Sequence, residues 1–354
     1  MNSNIGLVLS GGGAFGAWET GALRCFFDWW RSTFGEEPPI QAVVGTSTGA
    51  LVSPFALLGR PPDHDYIGEV CDLYGKVTNA KIRAERPELI LSPAAFFLRH
   101  VASVYDPGYD DDPKEASLLY KLLLQMIPED RVKAIGDLWN SGRRLGVATL
   151  DFATGRPHVV TNSPEDLQIL VKGILASAMA PLALPPVLLP FGSAGPTPHM
   201  DGGLYAEAPI AALFELAWGP PSIALTHVVV ISSFPWFPSD DSNPVQGHDF
   251  PADPTFGSIG DRMNALMSEA NASKDTLLAS AAIELRKAGL TEPRVFDVTG
   301  YHIPGMPQLI KLFPSKRLGW QAFEFVPAEM KAMQMRGCQE AAAVLGAAVD
   351  CSGF

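Results

Sequence analysis

The chain has 354 residues, of which 47% are hydrophobic and 18% are charged, and its formal net charge is −12. This composition is typical of a globular protein with a large core, and it excludes disorder for most of the chain. The negative charge argues against a nucleic-acid partner, which needs a basic surface. It also argues against purely electrostatic docking on anionic lipid, so any peripheral membrane contact should be local and apolar.

Two apolar segments could be mistaken for targeting or membrane-spanning sequences. Residues 1–4 carry no positive charge ahead of the short apolar run Ile5–Leu9, so we expect no signal peptide and predict a cytoplasmic protein, with signal-free secretion left open. The uncharged stretch 174–194 has the length of a membrane span but contains Pro181, Pro185, Pro186 and Pro190. Because each proline interrupts a helix, the stretch is predicted to be an apolar loop or a buried connector.

The cysteines and the acidic residues give no pattern of a metal site. The four cysteines form no C-x-x-C pair, which favours buried free thiols over disulfides or metal ligands: Cys25, Cys71, Cys338 and Cys351. The acidic cluster Asp106–Pro113 does not match the spacing of an EF-hand and is interpreted as a solvated loop. We therefore predict no metal.

The first sixty residues have the order of a βαβα unit. A buried strand at Ile5–Ser10 is followed by the glycine-rich loop Gly11–Gly16 and by a helical pattern over Ala17–Ser32. A second strand at Gln41–Val44 then leads through another glycine turn to a helix near Ala50. This order predicts parallel strands joined by right-handed crossovers.

The rest of the chain continues the mixed pattern. The predicted elements are a hairpin of Arg144–Leu150 and His158–Thr161, a helix start at Ser163–Asp166, a strand at Thr226–Ser232, a helix at Ser258–Leu290, a strand at Arg294–Val298 and a helix at Pro327–Ala348. No internal repeat is present. We predict one large α/β domain over residues 1–354, with its motifs in residues 5–230 and a C-terminal portion at about 255–350.

The strongest local signal is a G-x-S-x-G motif formed by Gly45, Ser47 and Gly49 after the second strand. A nucleophile at a sharp strand-to-helix turn needs glycine two positions away on each side, because larger side chains would collide with the neighbouring backbone. The helix N-terminus beside the serine favours developing negative charge. The motif predicts that Ser47 is a nucleophile.

The second signal is the loop after the first strand, which contains Gly11, Gly12, Gly13 and Gly16. A Rossmann dinucleotide site would need an acidic residue at the end of the second strand, where this chain has Gly-Thr-Ser, and no P-loop lysine follows the glycines. In a parallel sheet, this loop and Ser47 would open on the same edge. We therefore favour an oxyanion hole, in which glycine amides bind a reacting carbonyl oxygen.

The third signal is the tight turn formed by Asp201, Gly202 and Gly203, which can direct a carboxylate into a cleft. A serine hydroxyl needs a base to take its proton. None of the seven histidines lies in a motif with a base-like setting, and His199, two residues from Asp201, is predicted to lie at the surface or at a strand end.

The three motifs in this order resemble the patatin-like phospholipase family. Two weaker stretches support the resemblance, Ala176–Pro186 and Val147–Gly155, so that it covers roughly residues 5–230. The resemblance implies a three-layer α/β/α sandwich with a mostly parallel central sheet. It also implies a substrate that is a lipid or another acyl ester, no cofactor and no metal; it leaves the oligomeric state open.

The resemblance further implies a role for each motif residue. Ser47 would attack the ester carbonyl, and Asp201 would accept its proton and later help water to release the acyl group. The amides of the glycine loop would stabilise the oxyanion, and the remaining motif glycines would shape the turns: Gly11, Gly12 and Gly13 for the oxyanion, and Gly16, Gly45, Gly49, Gly202 and Gly203 for the turns.

Two departures and two alternative functions remain at this stage. The family often has a basic residue where Phe15 stands, and an asparagine-containing stretch where this chain has Leu204–Pro209. A Ser-His-Asp esterase would need a histidine after Asp201, and a non-catalytic nucleotide- or lipid-binding module could keep the same loops. The candidate histidines are His227, His248 and His302, and the candidate lipid-contacting apolar segments, which could equally pack in the core, are Leu182–Phe191 and Trp236–Phe237.

Overall fold

A computed structural model describes residues 3–78, 118–180, 186–192, 195–234, 256–289, 307–315, 318 and 325–354. Eight strands are present in the described residues: β1 (Ile5–Leu9), β2 (Ile40–Thr46), β3 (Arg144–Asp151), β4 (Pro157–Thr161), β5 (Val187–Gly192), β6 (Gly195–Asp201), β7 (His227–Ile231) and β8 (Gln308–Leu312). Nine α-helices accompany them in the same residues: α1 (Gly16–Phe34), α2 (Thr48–Leu58), α3 (Tyr66–Lys76), α4 (Leu118–Met126), α5 (Glu129–Asn140), α6 (Leu170–Ser177), α7 (Ile210–Trp218), α8 (Phe256–Lys287) and α9 (Pro327–Leu345).

The strands form a single sheet in the order β5-β6-β3-β2-β1-β7-β8, with β4 paired to β3 off this path. Parallel pairing joins the five neighbouring strands β3, β2, β1, β7 and β8. The strands β4 and β6 pair antiparallel with β3, and β5 pairs antiparallel with β6. Since β1 and β2 are parallel neighbours, the loops that follow them lie together at the carboxyl ends of the strands, as the βαβα pattern predicted.

Alternating residues of the central strands pack against helices on both faces of the sheet. On β1, Leu7 and Leu9 join a core with α1, α2, α3 and α9, whereas Val8 joins a second core with α7 and α8. On β2, Val43 and Val44 divide in the same way. A strand that is buried on both faces reads as a continuous apolar run, which is what the sequence has there. The predicted three-layer α/β/α sandwich with a mostly parallel sheet is confirmed.

The register of β3 explains how a distant aspartate comes close to the end of β2. β2 pairs with β3 up to the Thr46–Ala148 pair, and β6 pairs with β3 from the next residue, Thr149, which lies opposite Asp201. Because β4 pairs with the other edge of β3 over these residues, β2 and β6 share one edge. Asp201 therefore lies next to the point where β2 ends and Ser47 follows.

Most predicted elements are present, but two differ from expectation. The segment at Ser163 begins as a turn, in which Ser163 Oγ accepts the Asp166 N–H at 3.3 Å, and the α-helix starts only at Leu170 after a 3₁₀ turn. The stretch 174–194 is not only a connector: it contains the end of α6 and the strand β5, in which Pro190 is tolerated because β5 lies at the edge of the sheet.

The cysteine prediction was wrong for one pair. Cys338 of α9 and Cys351 of the C-terminal tail form a disulfide across a sequence separation of 13 residues, whereas Cys25 and Cys71 are free and buried as expected. The tail turns back at Gly346, which ends α9 in a left-handed conformation. Sequence spacing alone does not reveal such a turn, so the pairing was not visible.

Several other expectations concern residues that the structure does not describe. These are the acidic cluster Asp106–Pro113, the strand at Arg294–Val298, the Trp236–Phe237 pair, His248 and His302. Within the described parts of the chain, no helix has both the length and the apolar character needed to cross a membrane. The single-domain organisation stays a prediction, although β8 and α9 from the C-terminal portion join the same sheet and the same core.

Candidate active site

Ser47 lies in the sharp turn between β2 and α2. It is the one described non-glycine residue with a positive φ, and its φ of 52° and ψ of −119° are a strained conformation for a residue with a side chain. Its two flanking glycines are required by close packing, because a Cβ atom at Gly45 would collide with the Gly49 carbonyl, and one at Gly49 with the Leu9 carbonyl. The motif therefore forms the strained strand-to-helix turn that the sequence predicted.

A second serine holds the backbone of Ser47 in this conformation. The Ser47 N–H donates to Ser177 Oγ at 2.9 Å, and the Ser177 hydroxyl donates to the Ala148 carbonyl at 2.7 Å. Ser177, at the end of α6, is fully buried. Ser177 belongs to one of the stretches that support the family resemblance, but its role is not predictable from sequence, because a contact across 130 residues leaves no local signal.

Asp201 ends β6 with its side chain directed towards Ser47. Its Oδ1 accepts the Gly203 N–H at 2.8 Å, and only 7% of the residue is exposed. Burial raises the pKa of Asp201 to about 6, and hydrogen bonds from the Gly203 amide and the Ser47 side chain partly oppose this rise. The structure thus places the Ser47 side chain close enough to the Asp201 carboxyl group to lower its pKa, and the carboxyl group is still mostly ionised at neutral pH.

The two glycines after Asp201 allow close packing. A Cβ atom at Gly202 would lie 2.5 Å from the Ala148 carbonyl oxygen, and one at Gly203 would lie 2.5 Å from Glu207 Oε2. Helix α8 supports the same turn, because Asn271 Nδ2 donates to the Gly203 carbonyl at 3.2 Å. This support comes from the C-terminal portion of the chain, which contains no recognisable motif.

The glycine loop after β1 exposes two backbone amides. Gly12 and Gly13 have φ values of 147° and 56°, which side chains rarely allow. Within the described residues, neither of their N–H groups donates a hydrogen bond, whereas the Gly11 N–H donates to the Glu207 carbonyl at 3.4 Å. The structure therefore leaves the amides of Gly12 and Gly13, rather than all three, as open donors in the loop.

Hydroxyl groups donate hydrogen bonds to the carbonyl groups of the glycine loop. Ser10 Oγ donates to the Gly11 carbonyl at 3.0 Å and accepts the Ser233 N–H at 3.0 Å, and the Ser233 hydroxyl also donates to Gly11. Thr48 Oγ1 donates to the Gly13 carbonyl at 2.9 Å, and Gly16 packs directly on the Thr48 side chain. These bonds fix the orientation of the peptide groups in the loop.

Neither His199 nor His227 is placed to act as a general base for Ser47. His199, expected at the surface or at a strand end, is instead fully buried in β6, between Thr149 Oγ1 at 3.1 Å and Thr197 Oγ1 at 3.0 Å. Burial lowers the pKa of His199 to about 4. His227 is the first residue of β7, opposite Ile5 at the start of β1, and so lies at the other end of the sheet from Ser47.

The described part of the apolar segment before Asp201 packs within the protein. In β5, Val187 and Leu189 are buried in the core of the sandwich, and the Phe191 ring stacks on His158 at a centroid distance of 4.7 Å. Core packing therefore accounts for these residues, and residues 181–185 lie outside the described part of the chain.

A comparison with protein-family models matches residues 7–214 to the patatin-like phospholipase family. This match covers more than half of the chain and includes all three motifs. No curated protein sequence matches the chain significantly.

Solved structures of low sequence identity are also similar to the chain. VipD from Legionella pneumophila has a TM-score of 0.44 and 14% identity over 96% of this chain and 66% of its own. The type III effector protein ExoU has a TM-score of 0.38 and 13% identity over 97% of this chain and 52% of its own. Full-length ExoU of Pseudomonas aeruginosa in complex with SpcU has a TM-score of 0.29 and 18% identity over 50% and 38%. The chain thus spans less than two thirds of the length of each of these proteins.

Proposed function

Because the chain belongs to the patatin-like phospholipase family, we propose that it is a serine acyl hydrolase that cleaves ester bonds of lipids with Ser47 and Asp201 as a catalytic dyad. The observation that carries the proposal is the position of the buried carboxyl group of Asp201 beside Ser47, which follows from the pairing of β2 and β6 with successive residues of β3. Phospholipid, lysophospholipid and neutral acyl esters all fit this chemistry.

The reaction proposed for the dyad has two steps. Ser47 Oγ attacks the ester carbonyl carbon while Asp201 accepts the hydroxyl proton, and the alcohol leaves with that proton as the acyl group is transferred to Ser47. Asp201 then takes a proton from the water that attacks the acyl-enzyme, and it returns this proton to Ser47 Oγ as the bond between Ser47 and the acyl group breaks and the fatty acid leaves. Each step moves one proton through Asp201, so no histidine is required.

Stabilisation of the oxyanion is proposed for the amides of Gly12 and Gly13. They are the open donors of the loop that faces Ser47, and a group that develops negative charge gains most from donors that are already oriented. The hydroxyl groups of Ser10, Ser233 and Thr48 donate to the loop carbonyls, which supports a fixed orientation of the loop amides.

A panel of phospholipids, lysophospholipids and neutral acyl esters tests the proposal, scored by the fatty acid released. We expect Ser47→Ala and Asp201→Ala each to abolish release, because the first removes the nucleophile and the second removes its base. Labelling of the wild-type protein by a fluorophosphonate should occur at Ser47. The variants His227→Gln, His248→Gln and His302→Gln should keep wild-type activity.

The same panel separates the alternatives. Loss of activity in one histidine variant, together with an active Asp201→Ala variant, would indicate a Ser-His-Asp esterase. Failure of the folded wild-type protein both to react with the fluorophosphonate and to release fatty acid from any lipid would leave the binding module.

A further inference from the structure

A buried glutamate, Glu207, lies between the glycine loop and the Asp-Gly-Gly turn and has no role in the reaction described above. Only 3% of it is exposed. A Cβ atom at Gly11 would collide with Glu207 Oε1, and one at Gly203 would lie 2.5 Å from Glu207 Oε2. The carboxyl group therefore fills the space that these two glycines leave open, and it contacts both motifs at once.

The same two glycines also face the proposed reacting groups. A Cβ atom at Gly11 would lie 3.0 Å from Ser47 Cβ, and one at Gly203 would lie 3.1 Å from Asp201 Oδ1. Glu207 thus lies behind the nucleophile on one side and behind its partner on the other.

The backbone of the same segment is tied to both central strands. The Glu207 carbonyl accepts the Gly11 N–H at 3.4 Å, and the preceding carbonyl, of Ala206, accepts Thr46 Oγ1 at 3.1 Å. These bonds join the segment to the loop after β1 and to the last residue of β2. The carboxyl group of Glu207 consequently starts from a fixed backbone position.

A second buried acid, Glu19, interacts with Glu207. Glu19 of α1 is fully buried, and its pKa is raised well above its usual value by burial and, to a smaller extent, by the negative charge of Glu207, while the Ser10 backbone lowers it. Glu19 thus favours its neutral form.

We propose that Glu207 is a positioning residue for the ester hydrolysis proposed above, on which this inference rests. Its carboxyl group holds the glycine loop and the Asp-Gly-Gly turn at the separation that lets the open amides, Ser47 and Asp201 act on one carbonyl group. Glu207 acts through the length of its side chain and does not itself touch the substrate or accept its proton.

Four variants test this inference with a soluble short-chain ester, with kcat and KM measured separately between pH 5 and 8. Glu207→Ala should lower kcat by about 100-fold with little change in KM, because a displacement of about 1 Å costs that much. Glu207→Asp keeps the charge but is one methylene shorter, and its kcat should fall by roughly 10-fold or more. Glu207→Gln keeps the length and should retain most of the activity. The exposed Glu215→Gln on α7 is the matched control and should behave as wild type.

The outcomes distinguish length from charge. An active Glu207→Asp with an inactive Glu207→Gln would assign the role to the charge and overturn the inference. Loss of the acidic limb of the pH profile in Glu207→Gln would make Glu207 a proton acceptor and would also overturn it. If Glu207→Ala does not fold, the Asp and Gln variants decide alone. Ser47→Ala and Asp201→Ala, assayed in parallel, show whether the inference or the proposed function fails. If these two variants are inactive while all Glu207 variants are fully active, only the positioning role of Glu207 is removed.

Discussion

A single carboxyl group, that of Asp201, has to be both buried and ionised for the proposed reaction. Burial favours the neutral acid, whereas the Gly203 amide and the Ser47 hydroxyl favour the carboxylate. The balance leaves the pKa of Asp201 at about 6, closer to neutrality than that of an exposed aspartate. An acid in this range is a stronger base for a serine hydroxyl and is still mostly deprotonated at pH 7.

This balance predicts the pH dependence of the reaction. Asp201 must be ionised to accept a proton, so kcat/KM should rise with pH through about 6 and level off above it, and it should fall as the pH drops below 6. The measurement is a pH profile with a soluble ester, with folding checked by circular dichroism at each pH. An acidic limb near pH 4, the range of an ordinary exposed aspartate, would show that the base is not the buried Asp201.

The site residues that could be predicted from the sequence are those whose neighbours in the chain reveal their role. Ser47 is flanked by glycines that only a sharp turn requires, and Asp201 precedes two more. Ser177 and Glu207 lack such a setting, because their partners lie far away along the chain. His199 was misplaced for a related reason: the threonines that satisfy it in the core lie at an adjacent strand and two residues away, and nothing in the local pattern marks them as partners.

At the scale of elements, the parallel pair β1 and β2 was predictable because each strand is a short apolar run that ends in a glycine turn. The strand β5 was not, because the prolines in and before it suggested a loop, and only the position of β5 at the sheet edge makes Pro190 acceptable. The contribution of α8 was equally hidden. Asn271 and Asp275 lie one turn apart on α8. Asn271 donates a hydrogen bond to the Gly203 carbonyl, and Asp275 accepts one from the Ala208 backbone. No spacing in the sequence indicates these bonds.

The glycine loop provides a prediction at this scale. Gly12→Ala should lower kcat by about 100-fold, because its φ of 147° disfavours a side chain and the added Cβ would collide with the Ser233 hydroxyl, which displaces the open amides. Gly35→Ala is a suitable control, since Gly35 also has a positive φ, of 77°, but an added Cβ would meet no atom within 4 Å.

The control removes the general effect of strain. Gly35→Ala should lose about 1–2 kcal/mol of stability from its left-handed conformation and keep its wild-type kcat. Fluorophosphonate labelling of both folded variants provides a second measurement, and it should be slow only in Gly12→Ala. Equal kcat values for the two variants would remove Gly12 from the oxyanion hole.

For the whole molecule, the C-terminal tail closes the outer helical layer over α1. The disulfide joins the tail to α9, Arg24 of α1 donates to the Gly353 carbonyl at 3.0 Å, and the Arg24 guanidinium lies 4.8 Å from the Phe354 ring centroid. Arg24 follows Gly16, at the site, by about two helical turns. The tail is therefore part of the support of α1 and not of the reacting groups. A disulfide persists mainly in oxidising compartments, so it does not favour the predicted cytoplasmic location, which stays a prediction.

The tail leads to a prediction that separates stability from activity. Cys351→Ser should lower the free energy of unfolding by about 3 kcal/mol, the value for closing a loop of about this length, and it should leave kcat unchanged. A reducing agent should produce the same loss in the wild-type protein and no further loss in the variant, as measured by urea unfolding. Thiol titration of the denatured, unreduced wild-type protein should detect two thiols, those of Cys25 and Cys71. Detection of four would show that the tail is held by its contacts with α1 alone, and a fall in kcat on reduction would mean that the tail transmits its constraint along α1 to the glycine loop.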